Sequence, residues 1–220
     1  MRDKKLKVRG IMLDLDGTIV DSKKAYLKAL KAAFNAAGEE TFNLEIAIEI
    51  PKRLEQRLPI NDMIKGADSQ RFLEVYLKTY YAVPLLRTDS LPQISETLKD
   101  LSQKAELALI TQRRVPKEKV IEELENLGLA KYFEIVVTGL DTEHPKPSPD
   151  AVIKCAEKMN VPLCECVIIG DSVVDIKAGK LAGAKTVAVL SGIYTREELE
   201  PEKPDLIIGN INEFPKFLDT

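Results

Sequence analysis

From about residue 90 onward, short apolar runs alternate with amphipathic helical patterns, a rhythm that few folds accommodate. The runs are Leu107 to Ile110, Ile135 to Val137, Val167 to Ile169, Thr186 to Leu190 and Leu206 to Ile208. Between them one predicted helix carries Val120, Ile121, Leu124 and Leu127 before Gly128, and another carries Val152, Ile153, Ala156 and Met159 after Asp150. A further run, Val8 to Leu13 interrupted by Arg9 and Gly10, comes first and closes at Gly17. Runs so short and so continuously apolar read as strands covered on both faces. Their alternation with helices predicts an α/β fold, a Rossmann-like, doubly wound, mostly parallel sheet. Ligands of such sheets lie beyond the carboxyl ends of the strands.

Residues 22–86 break the rhythm, because they hold helical patterns and no convincing strand. Tyr26, Leu30, Ala33 and Ala37 mark one helix face ending near Gly38, and Phe72, Val75, Tyr76 and Val83 mark another. Pro51, Pro59 and Pro84 punctuate the segment, while Phe34, Phe42, Phe72, Tyr26, Tyr76, Tyr80 and Tyr81 offer it a small core of its own. The expected organisation is a core domain of residues 1–21 and 87–220, with residues 22–86 inserted as a helical cap. A chain of 220 residues that is 45% hydrophobic can bury a core of that size.

A net charge of −3 supplies no basic surface for a polyanion, so nucleic acid is not an expected partner and a small substrate is. The apolar run behind Met1-Arg2-Asp3-Lys4-Lys5 reaches aspartates within a few residues. Neither a signal peptide nor a membrane span is read there, and a cytoplasmic location is expected. The three cysteines, Cys155, Cys164 and Cys166, form no disulfide framework, and the only histidine is His144. Small, mostly buried side chains explain the cysteines better than a metal site does.

The polar residues that stand out follow the predicted strands. Asp14 and Asp16 end the first one, and Gly17-Thr18 follow them. Two carboxylates so close repel unless a cation or a proton relieves them, although a surface turn of solvated aspartates would look the same in isolation. Thr111 follows Leu107 to Ile110 and offers a hydroxyl to a phosphate oxygen; a threonine that merely ends a strand is the plainer account. Lys146 lies in His144-Pro145-Lys146-Pro147-Ser148-Pro149-Asp150, between prolines that restrict its backbone, before a helix with Ser148 as its expected cap and Pro149 at its first position. Gly170-Asp171-Ser172-Val173-Val174-Asp175 follows Val167 to Ile169. Ser172 with Asp175 three residues on is the pattern of a helix capping box. Asp171 has no such local role, and facing Asp14 it would complete an oxygen site suited to Mg2+.

Together these segments resemble the four motifs of the haloacid dehalogenase superfamily, in order and across nearly the whole chain. Asp14 to Thr18 match the opening signature, Thr111 the second-motif threonine, Lys146 the lysine, and Asp171 with Asp175 the acidic fourth motif. The insert, and Ala178-Gly179-Lys180-Leu181-Ala182-Gly183-Ala184, are similar to the phosphoglycolate phosphatase and beta-phosphoglucomutase branch. Gln112, followed by Arg113 and Arg114, stands where many relatives carry asparagine, and it joins Thr111 and Lys146 as a phosphate-binding candidate.

The resemblance implies a magnesium-dependent phosphatase acting on a small phosphorylated metabolite. Asp14 would be the nucleophile and Asp16 the acid and base, with metal ligands from Asp14, the backbone carbonyl of Asp16, and Asp171. Asp175 would support the metal or the lysine. A sugar-phosphate mutase is the nearest alternative, and a non-catalytic phosphate-binding or scaffold protein the alternative from another class. Phosphonate cleavage would need a Schiff-base lysine, for which Lys52 and Lys65 are open. Lys52, Arg53, Arg57 and Lys65 are also candidates for a second anionic group of the substrate, and each is equally readable as a solvated helix face.

Overall fold

The computed structural model describes residues 5–38, 43–64, 69–82 and 89–219. The chain divides into two compact units, Met1–Asp21 with Asp89–Thr220, and Ser22–Thr88.

In the first unit, β1 (Gly10–Asp14) lies at the centre of a sheet between β2 (Glu106–Ile110) and β4 (Cys166–Gly170). With β3 (Ile135–Val137), β5 (Lys185–Val189) and β6 (Leu206–Ile208), the strand order is β3-β2-β1-β4-β5-β6, and every pairing is parallel. This is the expected doubly wound arrangement, and each strand lies within two residues of the apolar run that predicted it.

Successive side chains of a strand point to opposite faces, and here each face has its own core. Ile11, Leu13, Leu107, Leu109, Val167 and Ile169 join one cluster, with Ile94, Leu98 and Leu101 of α4 (Ile94–Ser102) and Val120 and Leu124 of α5 (Lys117–Asn126). Met12, Ala108, Ile110, Cys166 and Ile168 join the other, with Val152, Cys155, Ala156 and Met159 of α6 (Asp150–Met159). Covering on both sides is why these strands read as unbroken apolar runs rather than as alternating ones. Next, α7 (Val173–Ala182) follows β4, and the short α8 (Arg196–Leu199) precedes β6. The helix expected to cap on Ser148 begins one residue later, with Pro149 at the cap position.

The second unit holds α1 (Lys23–Ala36), α2 (Leu44–Glu55) and α3 (Ser69–Ala82). Its helices share a hydrophobic cluster: Phe34 meets Phe72 edge to face with ring centres 5.0 Å apart, and Tyr26 stacks on Tyr80, also at 5.0 Å. Asn43 caps α2 by accepting from the Glu45 N–H at 2.9 Å. Pro51, read as punctuation, lies inside α2 instead. It has no N–H to donate, so α2 is held by its packing more than by local preference: Ala47 and Ile50 are buried in the unit's core. Phe42, Lys65, Val83 and Pro84 lie outside the described residues. Among the described residues, no helix is long and apolar enough to cross a membrane.

Candidate active site

The carboxyl end of the sheet gathers the polar residues. Asp14 is the last residue of β1, Thr111 follows β2, and Asp171 follows β4. The chain turns sharply after β1 because Gly17 takes φ +82, a conformation that costs other residues about 1–2 kcal/mol, and its N–H then donates to Val20 O at 2.8 Å.

Lys146 is buried and bridges two segments, donating from Nζ to Asp14 Oδ1 at 2.6 Å and to Asp175 Oδ1 at 2.5 Å. Asp175 therefore has two tasks. Its Oδ2 accepts from the Ser172 N–H at 3.2 Å and from the Ser172 hydroxyl at 2.7 Å, which makes the expected cap at the start of α7, while Oδ1 holds the lysine. Burial pushes the Asp14 carboxyl up; Lys146 pulls it back, and Asp175 and Asp16 push it further up, to a net value of about 7. For Lys146 burial works against the charge, but Asp14 and Asp175 outweigh it, and the ammonium is held more firmly than usual.

Asp14, Asp171 and Asp175, all buried, offer carboxylate oxygens that lie within 4.8 Å of one another. Three buried carboxylates gathered this closely offer oxygen ligands of the kind a hard dication takes. The residues present thus fit Mg2+, and geometrically Asp175 belongs to the cluster as closely as Asp14 and Asp171 do.

The close approach of Asp171 depends on Gly17, read from the sequence as the turn after the first strand, and on Gly192, which the sequence reading did not single out. A methyl group at Gly192 would stand 2.6 Å from Asp171 Cβ and nearer still to its carboxylate, and one at Gly17 would stand 2.6 Å from Asp171 Oδ2. The Gly17 turn is tied to the loop after β5, where Ser191 Oγ donates to Gly17 O at 2.6 Å. Gly170 likewise makes room for the side chain of Asp175. The contacts of Gly17 and Gly192 with Asp171 join residues far apart in the chain, so no local pattern announces them.

Thr111 is buried, and its hydroxyl accepts from the Arg113 N–H at 3.2 Å, which leaves its own proton for another acceptor. The Gln112 Nε2 is buried with no hydrogen-bond partner among the described residues. Asp16 is engaged by Arg113, whose Nε and Nη2 each donate at 2.7 Å to one carboxylate oxygen. The sequence reading noted Arg113 only as a departure from its relatives. His144, outside the predicted set, is exposed and lies 3.2 Å from Asp150. Of the cationic candidates in the insert, Lys52 is buried, Arg53 is taken up by Asp62 and Glu49, and Arg57 follows α2 at φ 57.

A doubly wound parallel sheet with a buried acid and lysine cluster at its carboxyl edge defines an α/β enzyme with an acidic centre. Residues 11–189 match the model of the haloacid dehalogenase-like hydrolase family. Phosphoglycolate phosphatase of Escherichia coli is 32% identical over 230 residues, covering 94% of this chain and 90% of that one. A haloacid dehalogenase-like hydrolase from Streptococcus pneumoniae superposes with a TM-score of 0.81 at 20% identity, over 96% of this chain and 98% of that one. A Thermotoga maritima protein provisionally called a beta-phosphoglucomutase gives 0.71 at 25% identity, over 95% and 97%. The chain belongs to the haloacid dehalogenase-like hydrolase family, and within it to the phosphatases.

Proposed function

We propose that the protein is a Mg2+-dependent phosphatase that hydrolyses a small phosphate monoester through an aspartyl-phosphate on Asp14. The observation that carries this reading is the buried Lys146 set between Asp14 and Asp175, beside Asp171. It gives a nucleophilic carboxylate a fixed ammonium neighbour and a place for a dication. Mg2+ would be held by Asp14, Asp171 and the backbone carbonyl of Asp16, and when bound it supplies positive charge against the repulsion between the aspartate and a phosphate ester.

The chain's own residues do the rest. The Asp14 carboxylate attacks phosphorus in line with the leaving oxygen, which takes a proton from Asp16 as its bond to phosphorus breaks. Water then gives a proton to Asp16 and attacks the aspartyl-phosphate, which releases phosphate and restores both acids. Lys146, the Thr111 hydroxyl and the Gln112 amide donate to phosphoryl oxygens, and Asp175 holds Lys146 in place. The core and the insert of residues 22–86 would act as site and cap.

Phosphoglycolate is the first ester to test, because relatives are named for it. Asp14→Asn should keep the fold by circular dichroism and lose Mg2+-dependent phosphate release from phosphoglycolate and from p-nitrophenyl phosphate. Undiminished release by that variant removes Asp14 as the nucleophile. Conversion of a sugar phosphate without free phosphate would instead identify a mutase.

A further inference from the structure

The stretch that carries Lys146 can do little to hold itself by main-chain hydrogen bonds. Pro145, Pro147 and Pro149 have no N–H, so between residues 145 and 149 only Lys146 and Ser148 can donate from the backbone. Ser148 spends its N–H closing a turn on Pro145 O at 3.0 Å, with Lys146 second in that turn. A turn closed on itself fixes its own shape but not the direction in which it points. Lys146 is nevertheless buried and meets carboxylates from two distant segments, so the turn must be tied to something rigid.

Asp150 supplies the tie. It is the first residue of α6, whose Ala151, Val152 and Cys155 are buried in the core. Its Oδ1 accepts from the Ser148 hydroxyl, while its Oδ2 accepts from the His144 N–H at 3.3 Å and lies 3.2 Å from His144 Nδ1. An acid in the first turn of a helix is favourable by itself, because that end carries partial positive charge. This accounts for the presence of a carboxylate but not for its direction. Both oxygens turn back along the chain, to the residues that stand two before and two after Lys146. We infer that Asp150 is a positioning residue: by clasping His144 and Ser148 to α6 it fixes the turn from which Lys146 reaches Asp14 and the phosphoryl group. Asp150 acts through the lysine and is not a member of the acid cluster. The inference rests on the reading of Lys146 as a donor to phosphoryl oxygens given above.

The test is the dissociation constant of inorganic phosphate from the Mg2+-loaded protein, followed by phosphorus NMR, which needs no turnover and does not depend on the fraction of folded chains. Lys146→Met should weaken binding about tenfold or more, the size of a lost hydrogen bond between charged groups. Asp150→Ala should weaken it about fivefold, because the lysine is still present but no longer held in place. The conservative Asp150→Asn keeps an oxygen toward His144 and turns its amide to the Ser148 hydroxyl, and should bring the constant back to within about twofold of native. The double variant His144→Ala/Ser148→Ala removes both side-chain partners without touching α6 and should weaken binding about threefold. Asp150→Ala added to Lys146→Met should bring no further loss, since its effect passes through the lysine. Native binding in Asp150→Ala and in the His144 and Ser148 double variant, with Lys146→Met still impaired, overturns the inference and leaves Lys146 in its role. An Asp150→Ala loss that persists undiminished in the Lys146→Met background also overturns it. Native binding in Lys146→Met overturns the role of the lysine, and the inference with it.

Discussion

Replacing Gly192 with alanine probes Asp171 without altering any charged group. The new methyl would stand 2.6 Å from Asp171 Cβ, whereas carbon atoms in contact settle at about 3.5–4.0 Å. Rotation about χ1 could move the carboxylate aside but not the β-carbon, whose position is set by the backbone. The segment after β4, or the one after β5, must therefore shift by about 1 Å. Overpacking of this kind costs about 1–3 kcal/mol of stability. A misplacement of about 1 Å in a reacting site can cost about 10²-fold in rate. The expected result is a Mg2+ requirement for p-nitrophenyl phosphate hydrolysis that moves at least tenfold higher, with kcat/KM down by about 10²-fold. Gly183→Ala is the control. Gly183 has φ +81 and open space around it, so alanine there costs about 1–2 kcal/mol in backbone strain and touches nothing in the site. It should lower the melting temperature comparably and leave the Mg2+ requirement unchanged. A Gly192→Ala enzyme with native Mg2+ dependence and native kcat/KM would refute the reasoning, and with it the place of Asp171 in the metal site.

Two further outcomes follow from burial. The Asp14 carboxyl, pushed up to about 7 chiefly by burial and against the pull of Lys146, must lose its proton to bind a metal cation. Apparent Mg2+ affinity measured by calorimetry should therefore rise about tenfold per pH unit up to about pH 7 and level off above it; a flat profile from about pH 5 to 7 counts against Asp14 as a ligand. Burial also pushes the Cys155 and Cys166 thiols up to about 12 and about 11, while Cys164 is exposed. At pH 8 a thiol reagent should label one cysteine quickly and all three only in denaturant. Both buried thiols ionise more readily in the unfolded chain, at about 8.5, so the stability they contribute is intact below that pH and declines as pH rises toward 11. Rapid labelling of all three in the native protein would show that α6 and β4 open readily.

What could be read from the chain, and what could not, divides by the distance over which each residue finds its partner. Ile11 to Leu13 and Val167 to Ile169 disclose a buried parallel sheet because both faces are covered and the apolar run is therefore unbroken. Asp14, Thr111 and Asp171 were visible as polar residues placed just where such runs stop. The Ser172 and Asp175 cap was visible because its partners are three residues apart, but the other oxygen of Asp175 reaches a lysine 29 residues away, which no local pattern encodes. Gly192 is invisible for the same reason, since its need for a bare α-carbon arises only when the loops after β4 and β5 meet. Glu123 is the instructive omission. It shares a helix face with Val120 and Leu124, and a carboxylate on a buried stripe must find a cation or be expelled. The chain supplies that cation ten residues earlier, in the stretch Gln112-Arg113-Arg114, which departs from the pattern of many relatives. A charged residue out of phase with the apolar pattern and a motif position out of line with its relatives are two halves of one buried ion pair, and the pair ends on Asp16.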